Sequence, residues 1–518
     1  MAVATVLNVM LGILGICILK IVFAPLRRKN LPPGPKPLPL IGNLLDLPKE
    51  YDWLHWAKHK KLYGPISSVS AFGRNLILIN DAQIAYDLLE KKSSIHSNRP
   101  SFVFAGEMCG LEDALVFLNS GPRLRGYRKN VSHVIGSKSA VAQFNLLMEL
   151  ETRRFLSRVL AQPGQLQSFI RKLAGGIVLK MSHGYTINPT GNDPLVDLAE
   201  EALTKFSLAA APGAWLVDFV PVLRYIPDWM PGAGFKLFAE ECSKMVKEST
   251  DKPHAFVRRQ MANGKAIPSF TSALLEMNPD ADAEGEFMIK KSASALYGGG
   301  TDTTVSALYG FYLAMLLNPQ VQKKGQAELD VVIGTDRLPC FEDRSRLPYI
   351  EAIVKEVLRW NPVLPMGLPH ASAHDDVYNG YLIPRGSILL ANIWQFTHDP
   401  ATYHQPFEFK PERFLEDKPE RDPHTLSFGF GRRICPGKEL ADSSIFLGIA
   451  MSLAAFNITK ARDEHGVEID PGCEFTSGVI SHPKPFRCNI MPRSEKAAAL
   501  VRLVDEEYPA WESDAAIL

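Results

Sequence analysis

The chain has 518 residues, of which 46% are hydrophobic, and its 57 lysines and arginines against 56 aspartates and glutamates leave a formal net charge of +1. This composition supports a large buried core, and the balanced charge argues against the strongly basic proteins that bind nucleic acids. The seven cysteines are odd in number and form no CxxC pair, which argues against a disulfide framework and a structural zinc site. We therefore expect a reducing, cytosol-facing compartment and no nucleic-acid partner.

The first apolar segment covers residues 3–26 and is interrupted by one charge, Lys20. As an α-helix it would be ~36 Å long, enough to cross the ~30 Å hydrocarbon core of a bilayer. Three cations, residues 27–29, follow the apolar run, whereas a cleaved secretory signal carries its cations in front. The sequence predicts one transmembrane anchor over residues 1–26, with the rest of the chain in the cytosol. A cleaved signal peptide is the alternative.

A proline-rich segment comes next. Its prolines, at positions 32, 33, 35, 37 and 39, exclude a helix and favour a stiff, extended chain. We interpret residues 27–43 as a basic and proline-rich hinge. No low-complexity linker or internal repeat follows, so we expect one large domain over residues 44–493 and a C-terminal extension over residues 494–518.

Helical patterns dominate the expected domain. Residues 66–80 carry β-rich apolar runs on both sides of Gly73, and residues 377–393 carry another pair around an Asn-Gly turn. The longest helical pattern extends over residues 284–317 and ends there, because Asn318-Pro319 cannot continue a helix. The sequence therefore predicts a mainly α fold with small β-sheets.

One cysteine, Cys435, has unusual neighbours in the stretch SFGFGRRICPG, residues 427–437. A thiolate is a strong soft ligand for iron, and backbone N–H groups, a helix N-terminus and cations all lower the pKa of a thiol. The expected helix over residues 436–456 begins just after the cysteine. A buried structural cysteine is the alternative. The glycines and arginines that could favour the thiolate are Gly429, Gly431, Arg432 and Arg433.

The spacing F-x-x-G-x-R-x-C-x-G is met at Phe428, Gly431, Arg433, Cys435 and Gly437. The segment resembles the haem-binding loop of the cytochrome P450 family. This resemblance implies the cytochrome P450 fold and haem b as cofactor, with Cys435 as the axial ligand of the haem iron. It also implies that Phe428, Arg433 and Gly437 contact the haem.

Two further motifs support the resemblance. The sequence EVLR places Glu356 and Arg359 three residues apart on one helix face, and PERF, residues 411–414, contains Arg413. In the family, one glutamate and two arginines at these positions form a buried, ion-paired structural triad. The resemblance implies the same role for Glu356, Arg359 and Arg413.

The long helix contains YGGGTDTTVS, residues 297–306. Three successive glycines inside a helix cost ~1 kcal/mol each relative to alanine, which suggests a purpose. The resemblance implies that Thr303 holds a proton-donating water during oxygen activation and that Asp302 links it to bulk solvent, because a hydroxyl beside a carboxylate can relay protons. The alternative is a glycine-rich kink with a polar patch that faces solvent.

Haem carries two propionates, which need cations or hydrogen-bond donors. The resemblance implies that three residues bind the propionates: Arg433, His370 in the stretch LPMGLPHASAHDD, and Arg128 in GPRLRGYRKN. Leu124 stands where the family commonly has tryptophan. This departure removes one expected contact to a propionate and leaves that side to Arg128.

The resemblance also implies the reaction. We expect a monooxygenase that uses O2 and NADPH electrons to hydroxylate or epoxidise a small lipophilic substrate, and the chain resembles fungal microsomal enzymes of secondary metabolism. No G-x-G-x-x-G loop follows a strand, so the expected electron donor is a separate NADPH-cytochrome P450 reductase, aided by cytochrome b5. The expected location is the endoplasmic reticulum membrane, single-pass, with the catalytic domain facing the cytosol. The segments expected to contact substrate are residues 99–118, 206–235, 363–368 and 475–480, which are largely apolar.

Two other hypotheses remain open from the sequence. One is a P450-type oxidase that catalyses desaturation, ring formation or rearrangement without net oxygen insertion. The other is a membrane-anchored haem sensor or carrier without turnover. Such proteins have less need of a proton relay, and Thr303 and Asp302 are both present here.

Overall fold

The computed structural model describes residues 30–189, 191–211, 213–508 and 511–518, together with Gly12 and Gly15. Helices form most of this part of the chain. The first ten are α1 (Asp52–Tyr63), α2 (Ala82–Ala85), α3 (Ser93–His96), α4 (Pro122–Ile135), α5 (Lys138–Ala142), α6 (Asn145–Ala161), α7 (Leu166–His183), α8 (Pro194–Ala209), α9 (Leu216–Phe219) and α10 (Phe235–Ala262). The next are α11 (Phe270–Met277), α12 (Ala283–Leu317), α13 (Pro319–Val332), α14 (Pro348–Trp360), α15 (Ile393–Thr397), α16 (His424–Ser427), α17 (Lys438–Ala455) and α18 (Glu495–Glu507).

The strands form three small sheets. They are β1 (Ile66–Ala71), β2 (Arg74–Ile79), β3 (His370–Ala371), β4 (Asp376–Tyr378), β5 (Tyr381–Ile383), β6 (Ile388–Ala391), β7 (Phe456–Lys460) and β8 (Cys488–Pro492). The largest sheet has the order β1-β2-β6-β3, in which β2 and β6 are parallel and the other neighbours antiparallel; β4 pairs with β5, and β7 with β8. The predicted strand signals at residues 66–80 and 377–393 are confirmed. Asn379 and Gly380 join β4 to β5 with positive φ angles of 50° and 82°, as this turn type requires.

Helix α12 is the centre of the molecule. Asp282 caps its start by accepting a hydrogen bond from the Gly285 N–H, and the helix ends before Asn318-Pro319, so the predicted helix is confirmed. Every residue from Thr304 to Leu316 is buried, which means that this half of α12 is covered on all sides. It packs against α4, α7 and α17. The helix that follows Cys435 therefore lies against the helix that carries Thr303.

The proline-rich segment runs beside strand β1. The Pro33 carbonyl accepts the Ser68 N–H at 2.9 Å, and the Pro32 carbonyl accepts the Ser68 hydroxyl at 2.5 Å. A Cβ on Gly34 would lie 1.8 Å from the Ser68 carbonyl oxygen, so only glycine allows this approach. These contacts fix the described part of the predicted hinge against the sheet.

The predicted anchor over residues 1–26 lies outside the described residues except for Gly12 and Gly15, and so do residues 27–29 of the hinge. In the part of the chain that the structure describes, no helix is both long and apolar enough to span a bilayer.

The C-terminal extension docks on the body of the domain. Val501 of α18 is fully buried in the main core, where α18 packs against α6. Beyond α18, the Trp511 ring lies 4.3 Å from the Arg154 guanidinium, and the Asp514 carboxylate accepts the Thr186 N–H at 2.8 Å. These contacts connect residues 511–514 to helix α6 and to the segment that follows α7.

Candidate active site

The loop that carries Cys435 is folded back on itself. The Cys435 N–H donates to the Phe428 carbonyl at 2.8 Å, and Gly429 and Gly431 between them have φ angles of 77° and 52°. The Gly431 N–H donates to the Glu90 carboxylate, which connects the loop to the segment before α3. Helix α17 begins three residues after the cysteine, with its first N–H groups directed toward this loop.

The Cys435 thiol is exposed, yet burial among the surrounding protein atoms raises its pKa. The side chain is therefore accessible to a ligand although protein atoms surround it. The N–H of Gly437 and the charges of Arg128 and Lys438 oppose this rise. These neighbours favour the thiolate, but burial disfavours it more, so the thiol pKa is raised overall. A bound metal ion would supply the missing positive charge, since coordination deprotonates a thiol.

The cations around Cys435 differ from those expected. Arg432 is exposed, and Arg433 turns to the main chain, donating to the carbonyls of Ser97, at 2.6 Å, and Leu118. The charges that act on the thiol come instead from Arg128, on α4, and from Lys438 at the start of α17. The local sequence of the loop did not determine which cations face the sulfur.

Besides the exposed Arg432, three arginines around the loop have no carboxylate partner among the described residues: Arg99, Arg128 and Arg433. Arg128 donates to the Ile434 carbonyl at 3.0 Å. Arg99 is buried, its Nε has no partner among the described residues, and burial together with the charge of Arg433 lowers its pKa to about 9. Uncompensated cations that repel one another favour an anionic ligand, and the two propionates of haem meet this requirement.

Arg99 and His370 meet near strand β3. Arg99 donates to two main-chain carbonyls of residues 368 and 369, at 2.9 and 2.6 Å. The Nδ1 atom of His370 lies 2.7 Å from the His96 carbonyl, and because a carbonyl only accepts, Nδ1 carries the proton. Burial and the charges of Arg99 and Arg433 hold the pKa of His370 well below its usual range, so this imidazole is neutral.

Sequence reasoning missed Arg99. It begins the segment of residues 99–118 that the resemblance assigned to substrate contact, and no motif marks it. The one available signal was an arginine before a proline at the edge of an apolar segment. Its burial and its proximity to His370 and Arg433 depend on the tertiary structure.

The structure brings the expected triad together. The Arg359 guanidinium makes two hydrogen bonds to Glu356, at 2.7 and 2.8 Å, and Arg413 lies 3.2 Å from the same carboxylate. All three side chains are at most 1% exposed. The Lys410 N–H also donates to Glu356 at 2.7 Å, and both arginines donate further to main-chain carbonyls. The charges are therefore paired and hydrogen-bonded, as buried charges must be.

Helix α12 presents Thr303 and Asp302 next to one another. The Thr303 hydroxyl donates to the Gly299 carbonyl at 2.8 Å, and Oδ2 of Asp302 lies 3.0 Å from Nε2 of His482. No described hydrogen bond or ion pair joins Thr303 or Asp302 to the Cys435 loop. Sequence reasoning missed His482 as well, because it lies 180 residues from Asp302.

The three glycines before Thr303 serve different purposes. Gly299 is exposed in the middle of α12, and a Cβ on Gly298 or Gly299 would meet nothing within 4 Å. A Cβ on Gly300 would lie 2.8 Å from a methyl group of Val178 on α7. Gly300 therefore allows two helices to pack, whereas Gly298 and Gly299 leave open space beside Thr303. The helix is continuous through all three.

The family model for cytochrome P450 matches residues 32–490. The chain belongs to the cytochrome P450 family. It is 54% identical to the cytochrome P450 monooxygenase claR of Ampulloclitocybe clavipes over 516 residues, which cover 99% of this chain and 95% of the relative. It is 46% identical to the cytochrome P450 monooxygenase ppsD of Aspergillus oryzae (95% and 94% covered) and 41% identical to the O-methylsterigmatocystin oxidoreductase of Aspergillus flavus (97% and 96% covered). The predicted resemblance to fungal P450 enzymes is confirmed.

This P450 is a monooxygenase of the haem-thiolate class, with haem b as its cofactor. Its residues fit that group: Cys435 is accessible to a ligand, and the arginines around its loop have no carboxylate partner among the described residues. The predicted haem contacts belong to this loop or to the elements around it: Arg128, His370, Phe428, Arg433, Cys435 and Gly437.

Proposed function

We propose that this P450 uses O2 and electrons from an NADPH-cytochrome P450 reductase to hydroxylate or epoxidise a small lipophilic natural product in fungal secondary metabolism. The observation that carries the proposal is that Thr303 and Asp302 are adjacent on α12, where a Cβ on Gly299, one turn before Thr303, would meet no atom within 4 Å. A proton relay beside an open space is what oxygen insertion requires and what a haem carrier does not. Cytochrome b5 is the proposed auxiliary electron donor.

Cys435 is the proposed axial ligand of the haem iron, and the haem supplies the redox chemistry that activates O2. Arg128 and Arg433 are the proposed propionate ligands, together with Arg99, whose buried Nε has no partner among the described residues. His370 can donate from Nε2 only after it gains a proton, and a carboxylate that neutralises the nearby arginines would favour this.

Two loop residues and the triad have supporting roles in the proposal. The Phe428 carbonyl and the Gly437 N–H fix the main chain and the sulfur of the cysteine loop. Glu356, Arg359 and Arg413 hold the segment before the loop against α14.

In the proposed relay, Thr303 holds a water. Its hydroxyl proton is directed to the Gly299 carbonyl, so the lone pairs of its oxygen are available to accept a hydrogen bond from a water molecule. Asp302, 19% exposed, connects this water to solvent. Together the two side chains deliver protons at the stage where oxygen activation consumes them.

A lipophilic substrate is supported by an aromatic cluster formed by two of the segments expected to contact substrate. The rings of Phe104 and Trp215 stack with centroids 3.8 Å apart, and Phe238 lies 6.0 Å from Phe104. Phe117 contacts both Phe102 and Phe206 at about 6 Å. Phe104 is fully buried, so the cluster is a packed apolar core where these segments meet, and apolar surroundings of this kind favour an apolar ligand.

Attachment to the endoplasmic reticulum membrane is supported by exposed apolar side chains on two neighbouring segments. The Phe72 N–H donates to the Ile41 carbonyl at 3.3 Å, and the Phe72 ring lies 6.1 Å from the Phe219 ring, which places residues 38–45 near residues 213–230. Exposed apolar residues in amphipathic, tryptophan-bearing segments bind the interface of a bilayer. In this protein the exposed apolar residues of the two segments are Leu38, Leu40, Leu45, Leu216, Val222, Tyr225 and Trp229.

The test compares metabolites of the source organism with those of a strain that lacks this gene, by accurate mass. We expect one compound to disappear and a precursor that lacks one oxygen atom to accumulate. The isolated precursor is then incubated with the P450, its reductase, NADPH and ¹⁸O2, and the product should contain one ¹⁸O atom. A product that differs from the precursor by two hydrogens or one water, without label, would contradict oxygen insertion and favour desaturation, ring formation or rearrangement.

A further inference from the structure

The segment of residues 475–483 forms a small hairpin beside α12. Phe475 and Pro483 pair as an isolated antiparallel bridge, and the Thr476 N–H donates to the His482 carbonyl at 2.7 Å. The His482 N–H donates in return to the Thr476 hydroxyl at 3.0 Å. The main chain of His482 is therefore fixed within the hairpin before its side chain makes any contact.

The hairpin contacts α12 at two positions one turn apart. The Ser306 hydroxyl donates to the Ser481 carbonyl at 2.5 Å, and the His482 ring reaches Asp302 with Nε2 3.0 Å from Oδ2. Asp302 and Ser306 are four residues apart and therefore lie on the same face of the helix. The orientation of the imidazole toward the carboxylate follows from this two-point attachment.

The contact makes the two carboxylate oxygens of Asp302 different. Oδ2 receives the hydrogen bond from His482, whereas Oδ1 has no partner among the described residues. No lysine or arginine in the described ranges pairs with Asp302, so His482 alone holds it. The other ring nitrogen, Nδ1, is buried and makes no hydrogen bond to a described residue.

We propose that His482 is a positioning residue for the reaction of this P450. By donating to Oδ2 it fixes the rotamer of Asp302 and leaves Oδ1 free to exchange a proton with water near Thr303. The inference rests on the proposed role of Asp302 in the proton relay. It adds a member of the relay that comes from a different segment of the chain.

The experiment measures coupling, the amount of product formed per NADPH consumed, with the precursor isolated from the deletion strain. The variant His482→Phe removes the donor and keeps a ring, whereas His482→Gln keeps an N–H donor at a similar reach. Lys484→Gln is the matched control, because it breaks the 2.7 Å ion pair with Glu474 that flanks the same hairpin, without touching Asp302. The carbon monoxide spectrum of the reduced protein verifies that each variant carries intact haem.

We expect coupling in His482→Phe to fall at least about threefold. This is a fraction of the ~10²–10⁴-fold in rate that general acid–base groups contribute, because His482 only positions such a group. The amount of hydrogen peroxide formed per NADPH should rise correspondingly. The dissociation constant of the precursor, measured by its spectral shift, should stay within about twofold, since positioning a proton donor does not bind substrate. His482→Gln and Lys484→Gln should retain wild-type coupling. Adding His482→Phe to Asp302→Asn should cause no further loss, because both changes affect one unit.

Unchanged coupling in His482→Phe would overturn the inference, as would an equal loss in His482→Phe and His482→Gln, which would indicate a structural role. Full coupling in Asp302→Asn would overturn both the inference and the relay role of Asp302. Product formation by the wild-type enzyme would still establish the oxygen insertion, so failure of the inference is distinguishable from failure of the proposed function.

Discussion

Gly431 is a residue whose identity is fixed by two separate constraints. Its φ angle of 52° lies in the left-handed region, and a Cβ at this position would lie 2.5 Å from the Leu89 carbonyl oxygen. Gly429, two residues earlier, has a φ of 77°, yet its Cβ would lie 3.6 Å from the nearest atom, the Arg433 carbonyl oxygen. Gly429 is therefore required only for its backbone conformation, whereas Gly431 is required both for its backbone conformation and for the close approach of the Leu89 carbonyl.

This difference predicts unequal effects of alanine. Both substitutions introduce strain of ~1–2 kcal/mol from the left-handed conformation. Gly431→Ala should cost ~1–3 kcal/mol more, because the main chain of Leu89 must move away. We expect Gly431→Ala to lose most of its haem and Gly429→Ala to keep most of it, as measured by haem per protein and by the carbon monoxide spectrum. Equal haem content in the two variants would show that contact with the segment before α3 does not matter.

At the scale of one element, helix α12 combines a packing role with a chemical role. Gly300 lets the helix approach α7, whereas Gly298 and Gly299 face open space beside Thr303. In a helix interior, alanine is more stable than glycine by ~1 kcal/mol where the added methyl group meets nothing. The same methyl group destabilises a protein where it must displace a packed side chain.

The effect of alanine on the free energy of unfolding should therefore have opposite signs at two neighbouring positions of α12. We expect Gly299→Ala to raise the free energy of unfolding by ~0.5–1 kcal/mol and Gly300→Ala to lower it by ~1–3 kcal/mol, because of the methyl group of Val178. The midpoint of thermal unfolding of the haem-free protein measures both changes, because the comparison concerns contacts between protein atoms alone. Stabilisation of both variants would contradict this prediction. It would show that the Val178 side chain can move aside without cost and that helix packing does not require Gly300.

At the scale of the whole molecule, His424 connects α16 to helix α17. Its imidazole lies 2.6 Å from Asp422 and 2.9 Å from Asp442, and Arg344 also pairs with Asp442, at 2.8 Å. Burial lowers the pKa of His424, but the hydrogen bonds and charges of the two aspartates outweigh burial and raise it to about 9. The His424 ring stacks on Phe428 of the cysteine loop, with centroids 5.8 Å apart. A charged His424 therefore stabilises the region behind the cysteine.

The raised pKa predicts how stability depends on pH. The folded protein binds this proton more tightly than the unfolded chain, whose histidine pKa is ~6.5, so the stabilisation is fully present below about pH 6.5 and is lost as the pH rises through about 9. The difference between the two pKa values corresponds to roughly 3 kcal/mol. We expect the thermal midpoint of the wild type to fall by a few degrees relative to His424→Gln as the pH is raised over this range.

His465→Gln is the matched control for this prediction, since His465 is largely exposed and its nearest acid, Glu464, is also exposed. It should follow the wild type at every pH. A His424→Gln midpoint that changes with pH in parallel with the wild type would show that the His424 cluster does not hold its proton in the folded state.

Several features follow from the sequence alone, because their signals are local. The spacing from Phe428 to Gly437 identified the cysteine loop, and Asn318-Pro319 fixed the end of α12. Turn chemistry at Gly73 and Asn379 located the strands of two sheets. Each signal depends on residues within a few positions of one another, where backbone sterics and side-chain periodicity act directly.

The tertiary structure alone decided which distant residues meet and how burial changes them. His482 reaches Asp302 across 180 residues, and Arg99 joins Arg433 and His370 from another segment. The rise in the pKa of Cys435 is also a tertiary effect, because its largest cause is burial rather than the neighbouring loop residues. Contacts between remote segments and the exclusion of water arise only when the chain packs, so no local pattern encodes them.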